Sequence, residues 1–283
     1  MPIDQDPSHV AFRKLSRQLA KLTKKPAPEN VHKFRTYSRR VEAMLDELVP
    51  KLSRNDKKLL KQLAGLRKKA GRVRDLDVQI AALRSLKIPQ EPGRKSQLMR
   101  TLSEERTQRE RTLPENFDRK TVSQLRKRLH RAAQEMAIPE STDLLRLGMR
   151  AVLQLGRERA PLTEKTLHQY RIAGKRARYI AELARHDPTA GQVVHQLKRM
   201  QDMIGDWHDW LKLTQRAEEL FGGVRESSLV AALQNVTRAK FREAVSALAE
   251  TRMALSEKVP VSVPPRPRPK PQAQAGRARA AVA

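Results

Sequence analysis

The chain has 283 residues, long enough for one large domain or for two of ordinary size, each with a buried core. Its 59 Lys and Arg residues against 31 Asp and Glu give a formal net charge of +28, which favours polyanionic partners. It contains no cysteine, which excludes disulfides and thiolate metal sites, and no apolar run approaches the roughly eighteen residues of a membrane span. The composition therefore predicts a soluble, cytoplasmic protein.

Helix is predicted along almost the whole chain. Glycine is scarce, at 11 residues, and apolar residues recur at spacings of three and four among good helix formers. Breaks that contain proline or glycine divide the chain into about eight or nine helices, roughly four on each side of residues 138–141. We therefore expect a first helical half at residues 1–137 and a second at 138–257. The breaks fall at residues 24–30, 50, 88–93, 113–116, 138–141, 160–162, 186–188 and 221–223.

The first basic pattern is HKFRTYSRR, at residues 32–40. On a helix at about 100° per residue, His32, Arg35 and Arg39 share one face, and Phe34 lies on the opposite face with the other apolar residues. The basic face is therefore expected to point away from the core. The cations of this first stripe are His32, Arg35, Arg39 and Arg40.

A second pattern, LAGLRKKAGRVRDLDV, follows at residues 63–78. It surrounds Gly71 with cations and ends in the acidic pair Asp75 and Asp77. Its helical spacing places it on the helix after the first stripe. The cations that we include in the candidate site from this segment are Lys69, Arg72 and Arg74.

The first stripe is spelled again 136 residues later, as HQYRIAGKR at residues 168–176. The cations recur at the same four offsets, and the helical phase again places them opposite the apolar side. Lysine and arginine commonly fill solvated helix faces, so one such stripe alone would indicate only a surface. Repetition, the histidines and the scarcity of acidic residues at i±4 favour a site instead. The second stripe comprises His168, Arg171, Lys175, Arg176 and Arg178.

The downstream segment is also repeated, as LKRMQDMIGDWHDWLK at residues 197–212. Setting Gly71 on Gly205 aligns Arg74 with His208 and Asp75 with Asp209. The distance from stripe histidine to glycine is kept within two residues. This indicates an internal duplication of a unit of about 135 residues. Its candidate site cations are Lys198 and Arg199.

The last stretch, residues 258–283, differs from the rest of the chain. It is rich in Pro, Ala and Arg and has no apolar periodicity. Such a composition predicts a disordered, partly polyproline, basic tail.

Together these motifs resemble the CHAD domains, a family of histidine-containing α-helical domains. The resemblance rests on HKFRTYSRR with LRKKAGRVRDLDV, and on HQYRIAGKRARY with LKRMQDMIGDWHD, and it covers roughly residues 8–255. It implies an all-α fold of two helical bundles, about four helices each, that arose by internal duplication and are related by a pseudo-twofold axis. It further implies that basic residues of both halves line a central cavity or groove that binds inorganic polyphosphate.

The carboxylates of the repeated segments have a different expected role. Asp75 and Asp209 each follow a basic position, so we expect them to pair with arginines and orient them, including arginines of the opposite half. A metal or acid-base role is the alternative, and WHDW at 207–210 raises the idea of a metal phosphohydrolase. We expect no metal and no cofactor, and Trp207 and Trp210 are expected to pack in the core.

Three functions remain in play. The first is non-catalytic polyphosphate binding, with association with polyphosphate or polyhydroxyalkanoate granules as the resemblance implies. The second is nonspecific nucleic-acid binding, which a charge of +28 would support, although aromatic residues make up only 4% of the chain. The third is phosphate hydrolysis, for which no phosphate-cradling Gly-rich loop or nucleophile with an adjacent base is evident. A histidine beside a bound anion would gain a proton more readily, so binding is expected to strengthen as pH falls.

Overall fold

The computed structural model describes residues 7–24, 27–88, 91–158, 161–184 and 186–258. Within these residues the chain forms nine α-helices, one short 3₁₀ helix and no strand, which confirms the all-α prediction. No helix in the described part is long and apolar enough to cross a membrane. The predicted basic tail lies outside the described residues, apart from Lys258 at the end of the last helix.

Five helices precede residues 138–141 and four follow, one more in the first half than the even division predicted. The five helices agree with the break predicted at residues 113–116, where Pro114 begins a 3₁₀ turn that separates two helices. In chain order the elements are α1 (Pro7–Leu22), α2 (Pro28–Leu48), α3 (Arg54–Ser85), α4 (Pro92–Thr112), the 3₁₀ helix (Pro114–Phe117), α5 (Arg119–Glu135), α6 (Leu144–Arg157), α7 (Glu164–Ala181), α8 (Ala190–Phe221) and α9 (Ser228–Lys258).

Local sequence fixes the start of the helices that carry the repeated motifs. Pro28 lies in the first turn of α2, where its missing N–H leaves no hydrogen bond unmade. A capping box starts α3: the Asp56 N–H donates to Ser53 Oγ at 3.2 Å, and the Ser53 N–H donates to Asp56 Oδ2 at 3.0 Å. The Thr166 N–H donates to Thr163 Oγ1 at 3.3 Å and caps α7.

Three hydrophobic clusters hold the helices together. The first lies among α1, α2, α3 and α5, and the second among α6, α7, α8 and α9. The third joins the later parts of α3 and α8 to α4 and α9. Trp207 belongs to the second cluster and Trp210 to the third, and both are buried as expected. Tyr179 and Ile180 of α7 pack into the first cluster, so this helix touches the cores of both halves.

The helices that carry the repeated motifs pack against one another. α2 packs against α7, and α3 packs against α8. Phe34 and Val41 of α2 and Tyr170 and Ala177 of α7 are buried, which confirms the predicted apolar side of both helices. The two basic stripes therefore lie on helices that face each other across the contact between the halves.

Candidate anion-binding cleft between the two halves

A cleft of about 130 Å³ lies between α2 and α7. Four of the predicted cations line it, two of them at equivalent positions of the repeat, Arg39 and Lys175. Its one lining carboxylate, Glu42, is already bound, because Arg67 Nη2 donates to its Oε1 at 2.7 Å. The cleft is therefore basic in spite of that carboxylate. Its lining residues are Arg39, Glu42, Ala43, Arg171, Ile172, Lys175, Arg176 and Tyr179.

The cations of the two halves act on one another across this contact. Burial lowers the pKa of Arg171, Asp209 partly offsets this effect, and the nearby charge of Arg39 from the other half lowers the pKa further. Burial and then Arg171 and Arg39 lower the pKa of Lys175 to about 7, although Asp209 opposes the shift. For Arg35, burial again lowers the pKa and Asp75 partly offsets it. These mutual effects mean that the positive charges lie close enough to oppose one another, and Asp75 and Asp209 offset only part of the effect.

Several donors in this group have no acceptor. Arg171 Nε is buried and, among the described residues, makes no hydrogen bond. Arg35 Nη1 is also buried and makes no hydrogen bond to a described residue, while Arg35 Nη2 lies 3.4 Å from Asp75 Oδ1. Arg39 and Lys175 form no ion pair with any described carboxylate. Because buried donors are almost always paired, these groups have unused capacity for an oxyanion.

Each stripe histidine stands beside a residue of the next long helix. Burial lowers the pKa of His32, and Arg74 of α3 is the strongest cationic neighbour. Burial also lowers the pKa of His168, followed by Arg171 and His208 of α8. The rings of His168 and His208 stack with centroids 6.1 Å apart and an interplanar angle of 27°. Sequence analysis did not include His208 in the candidate site. Its alignment with Arg74, which was included, is the signal that could have found it.

Asp75 and Asp209, the two carboxylates predicted to orient arginines, each contact a residue of their own half. Asp75 contacts Arg35, and Asp209 Oδ1 lies 3.5 Å from His208 Nδ1. Neither makes an ion pair with an arginine of the opposite half among the described residues. Asp77 instead accepts a hydrogen bond from Arg106 Nε of α4 at 2.6 Å. No group of three His, Cys, Asp or Glu in the described part of the chain is placed to hold a metal ion.

Three predicted site cations, Arg40, Arg176 and Arg178, pair with carboxylates, and of these Arg176 also lines the cleft. Arg40 Nη2 lies 2.6 Å from Glu182 Oε2, and Arg178 Nε lies 3.6 Å from Glu182 Oε1. Arg40 also lies over the rings of Tyr37 and Tyr179, at 5.6 and 5.5 Å from their centroids. Arg176 Nη2 lies 3.5 Å from Asp46 Oδ2. Arg40 and Arg176 therefore join α2 to α7, whereas Arg178 pairs at the end of its own helix.

Two of these ion pairs are reciprocal. Arg40 lies 136 residues before Arg176, and Asp46 lies 136 residues before Glu182, the spacing of the repeated stripes. Arg40 of α2 pairs with Glu182 just after α7, and Arg176 of α7 pairs with Asp46 of α2. Residue-for-residue exchange of this kind is the pattern of a two-fold interface.

The remaining predicted cations lie outside the cleft lining. Lys69 donates to Asn116, and Arg199 Nη2 lies 2.7 Å from Glu250 Oε2. Arg72 and Lys198 are exposed. The structure therefore brings Arg35, Arg39, Arg171 and Lys175 together and places the two histidines and Arg74 beside them. Arg176 lines the same cleft, whereas the other predicted cations lie elsewhere.

The fold and cleft define a class of helical protein in which two matched helices present cations to each other. The chain belongs to the CHAD domain family, whose sequence model matches residues 9–218. It is also similar in fold to the crystal structure of the CHAD domain from the plant Ricinus communis, with a TM-score of 0.66 and 17% sequence identity over 88% of each chain. Comparison with curated proteins found no match.

Proposed function

We propose that the cleft between α2 and α7 binds inorganic polyphosphate and that the protein is a binding protein without catalysis. The observation that carries the proposal is the meeting of Arg39 with Arg171 and Lys175 from two different helices, in a cleft whose one lining carboxylate, Glu42, is bound to Arg67. A linear polyphosphate presents only anionic oxygens and no base. Cations and guanidinium forks in a narrow cleft are the groups that such a ligand requires.

The reciprocal ion pairs support the pseudo-twofold arrangement of a duplicated chain. A ligand that crosses such an axis meets equivalent cations on both sides. A polyphosphate chain reads the same from either end, whereas a nucleic-acid strand has a direction. The symmetry of the cleft therefore favours polyphosphate over a single nucleic-acid strand. Family resemblance adds the proposal that the protein associates with polyphosphate or polyhydroxyalkanoate granules in the cytoplasm.

The second candidate is nonspecific binding of nucleic acid. The formal charge of +28 favours it, because any basic surface binds a phosphate backbone by counterion release. That charge is spread over the whole chain, whereas the unneutralised buried cations are concentrated in the cleft. We therefore place polyphosphate first.

The proposal is tested with Arg35→Ala combined with Arg171→Ala. A ligand bound only by the folded state raises the melting temperature, so long-chain polyphosphate should raise it for the natural chain. The double variant should lose most of that rise, while Arg72→Ala with Lys198→Ala removes the same charge from exposed positions and should keep it. Phosphate release, measured in the same samples, should stay at background.

A full rise in the double variant would contradict the proposal. If the double variant does not fold without ligand, Arg39→Ala is the substitute, because Arg39 forms no ion pair with a described carboxylate. Release of phosphate that stops in Asp75→Asn with Asp209→Asn would show a hydrolase instead.

A further inference from the structure

A second, larger groove runs between α1 and α5, neither of which lines the cleft. Its volume is about 550 Å³, and an adjoining cavity of about 210 Å³ shares Ser16, Arg126 and His130 with it. The lining combines hydroxyl groups with cations and contains no carboxylate. The two cavities together make a continuous trough along the helix pair.

The two helices that form this groove carry almost only positive charge. α1 and α5 together carry ten Lys and Arg residues and one carboxylate, Glu135, at the end of α5. Arg119, Arg126 and Lys127 line the groove, and none forms an ion pair with a described carboxylate. The groove is therefore strongly basic and is not neutralised by its surroundings.

Polar and basic side chains of α5 form a stripe along the groove. Arg119, Ser123, Arg126 and His130 follow one another at spacings of four, three and four, which places them on one helix face. At 1.5 Å per residue the stripe is about 16 Å long. Arg126 Nε donates to Ser16 Oγ of α1 at 3.0 Å, which holds this guanidinium across the groove. Its terminal nitrogens have no partner among the described residues.

We infer that the α1–α5 groove is a second binding site for a linear phosphate polymer, so that one molecule holds two separate segments. The ligand class rests on the proposed function. Hydroxyl and guanidinium donors along an elongated stripe suit a run of phosphate oxygens. The trough lining contains no Tyr or Trp, and its one Phe, Phe12, is buried and offers no exposed face on which a base could stack.

A second site changes what the protein does to its ligand. A molecule with one site only coats a polymer. A molecule with two sites on different helices joins two segments, and joined segments raise the effective concentration of further contacts. The protein would thus condense long polyphosphate chains as well as bind them.

The test uses the full chain and polyphosphate of defined short length, titrated by calorimetry at fixed salt. The natural chain should bind two equivalents. Arg119→Ala with Lys127→Ala removes two exposed groove cations that make no described contact, and it should bind one equivalent. Arg225→Ala with Arg242→Ala is the matched control, because it removes equal charge from exposed positions outside both sites and should still bind two. With long polyphosphate, light scattering should show clustering for the natural chain and the control but not for the groove variant.

The outcomes separate the two claims. An unchanged stoichiometry and unchanged clustering in the groove variant would overturn the second site and leave the cleft standing. Loss of one equivalent in the groove variant, together with two equivalents in Arg35→Ala with Arg171→Ala, would support the groove and overturn the cleft. No binding by the natural chain would overturn both.

Discussion

Lys175 is the residue at which the electrostatics of the cleft are most unusual. Burial, Arg171 and Arg39 bring its pKa to about 7, so near neutral pH it is only partly charged without a ligand. A phosphate placed beside it would favour the charged ammonium and raise that pKa again. Binding would then take up a proton, and the affinity would depend on pH in a range above that in which the histidines titrate.

The pH dependence gives a prediction for this residue. Affinity for polyphosphate should increase as pH falls from about 9 to about 7, because the complex holds a proton on Lys175 that the free protein has released. Lys175→Met should flatten this dependence and weaken binding about tenfold at pH 7, since one charge-assisted contact is lost. Lys198→Met, at an exposed position of α8, is the control and should keep the dependence. Affinity measured at constant ionic strength checks both.

The same substitution should stabilise the unliganded protein. The folded-state pKa of Lys175 lies below its usual value of 10.5, so the folded state disfavours its proton and loses stability as pH falls from about 10 to 7. A buried methionine carries no such cost. Melting temperature at pH 7 should therefore rise in Lys175→Met while binding weakens. A lower melting temperature with an unchanged pH dependence would show that Lys175 is structural.

Sequence patterns predicted which residues share a helix face but not how each is partnered. The i+4 spacing of Glu182 from Arg178 was a signal for one of the ion pairs. Arg40 and Arg176 pair with carboxylates of the other half, Glu182 and Asp46, so no spacing within one helix predicts these ion pairs. Burial of Lys175 likewise depends on α2 packing across α7.

At the scale of elements, the matched glycines of α3 and α8 turn out to have different surroundings. A Cβ atom on Gly71 would collide with Arg35 Nη1, so this glycine leaves room for a guanidinium of the candidate site. A Cβ on Gly205 would meet nothing within 4 Å. The alignment of the two positions was visible in the sequence, whereas the difference between them depends on where the arginine side chains lie.

This difference predicts opposite results for two equivalent substitutions. Gly71→Ala should displace the end of Arg35 and weaken polyphosphate binding several-fold, with little effect on stability because a flexible side chain can move. Gly205→Ala should leave binding unchanged and stabilise the helix by up to about 1 kcal/mol, since alanine is the better helix former. Binding and melting curves of both variants check this. Equal effects on binding would contradict the role given to Gly71.

At the scale of the whole molecule, α2 and α3 stand against α7 and α8, and the cleft exists only because the two pairs meet. The sequence contains two similar segments, and its proline- and glycine-containing segments predicted the helix breaks. Neither predicted that the stripes face each other, because that depends on contacts such as Tyr179 and Ile180 entering the core of the first half. Sequence analysis did not single out the groove between α1 and α5, because its lining residues come from two helices that are about 100 residues apart in the chain and meet only in the fold.

The measurement that tests the central claim most directly is a competition at physiological salt between long-chain polyphosphate and duplex DNA at equal phosphate concentration. A flexible phosphate chain can enter a cleft of about 130 Å³ and reach Arg171 and Lys175, whereas a duplex presents its phosphates only from outside. We predict that polyphosphate displaces the DNA from the natural chain and that no phosphate is released. Preferential binding of DNA would contradict the account.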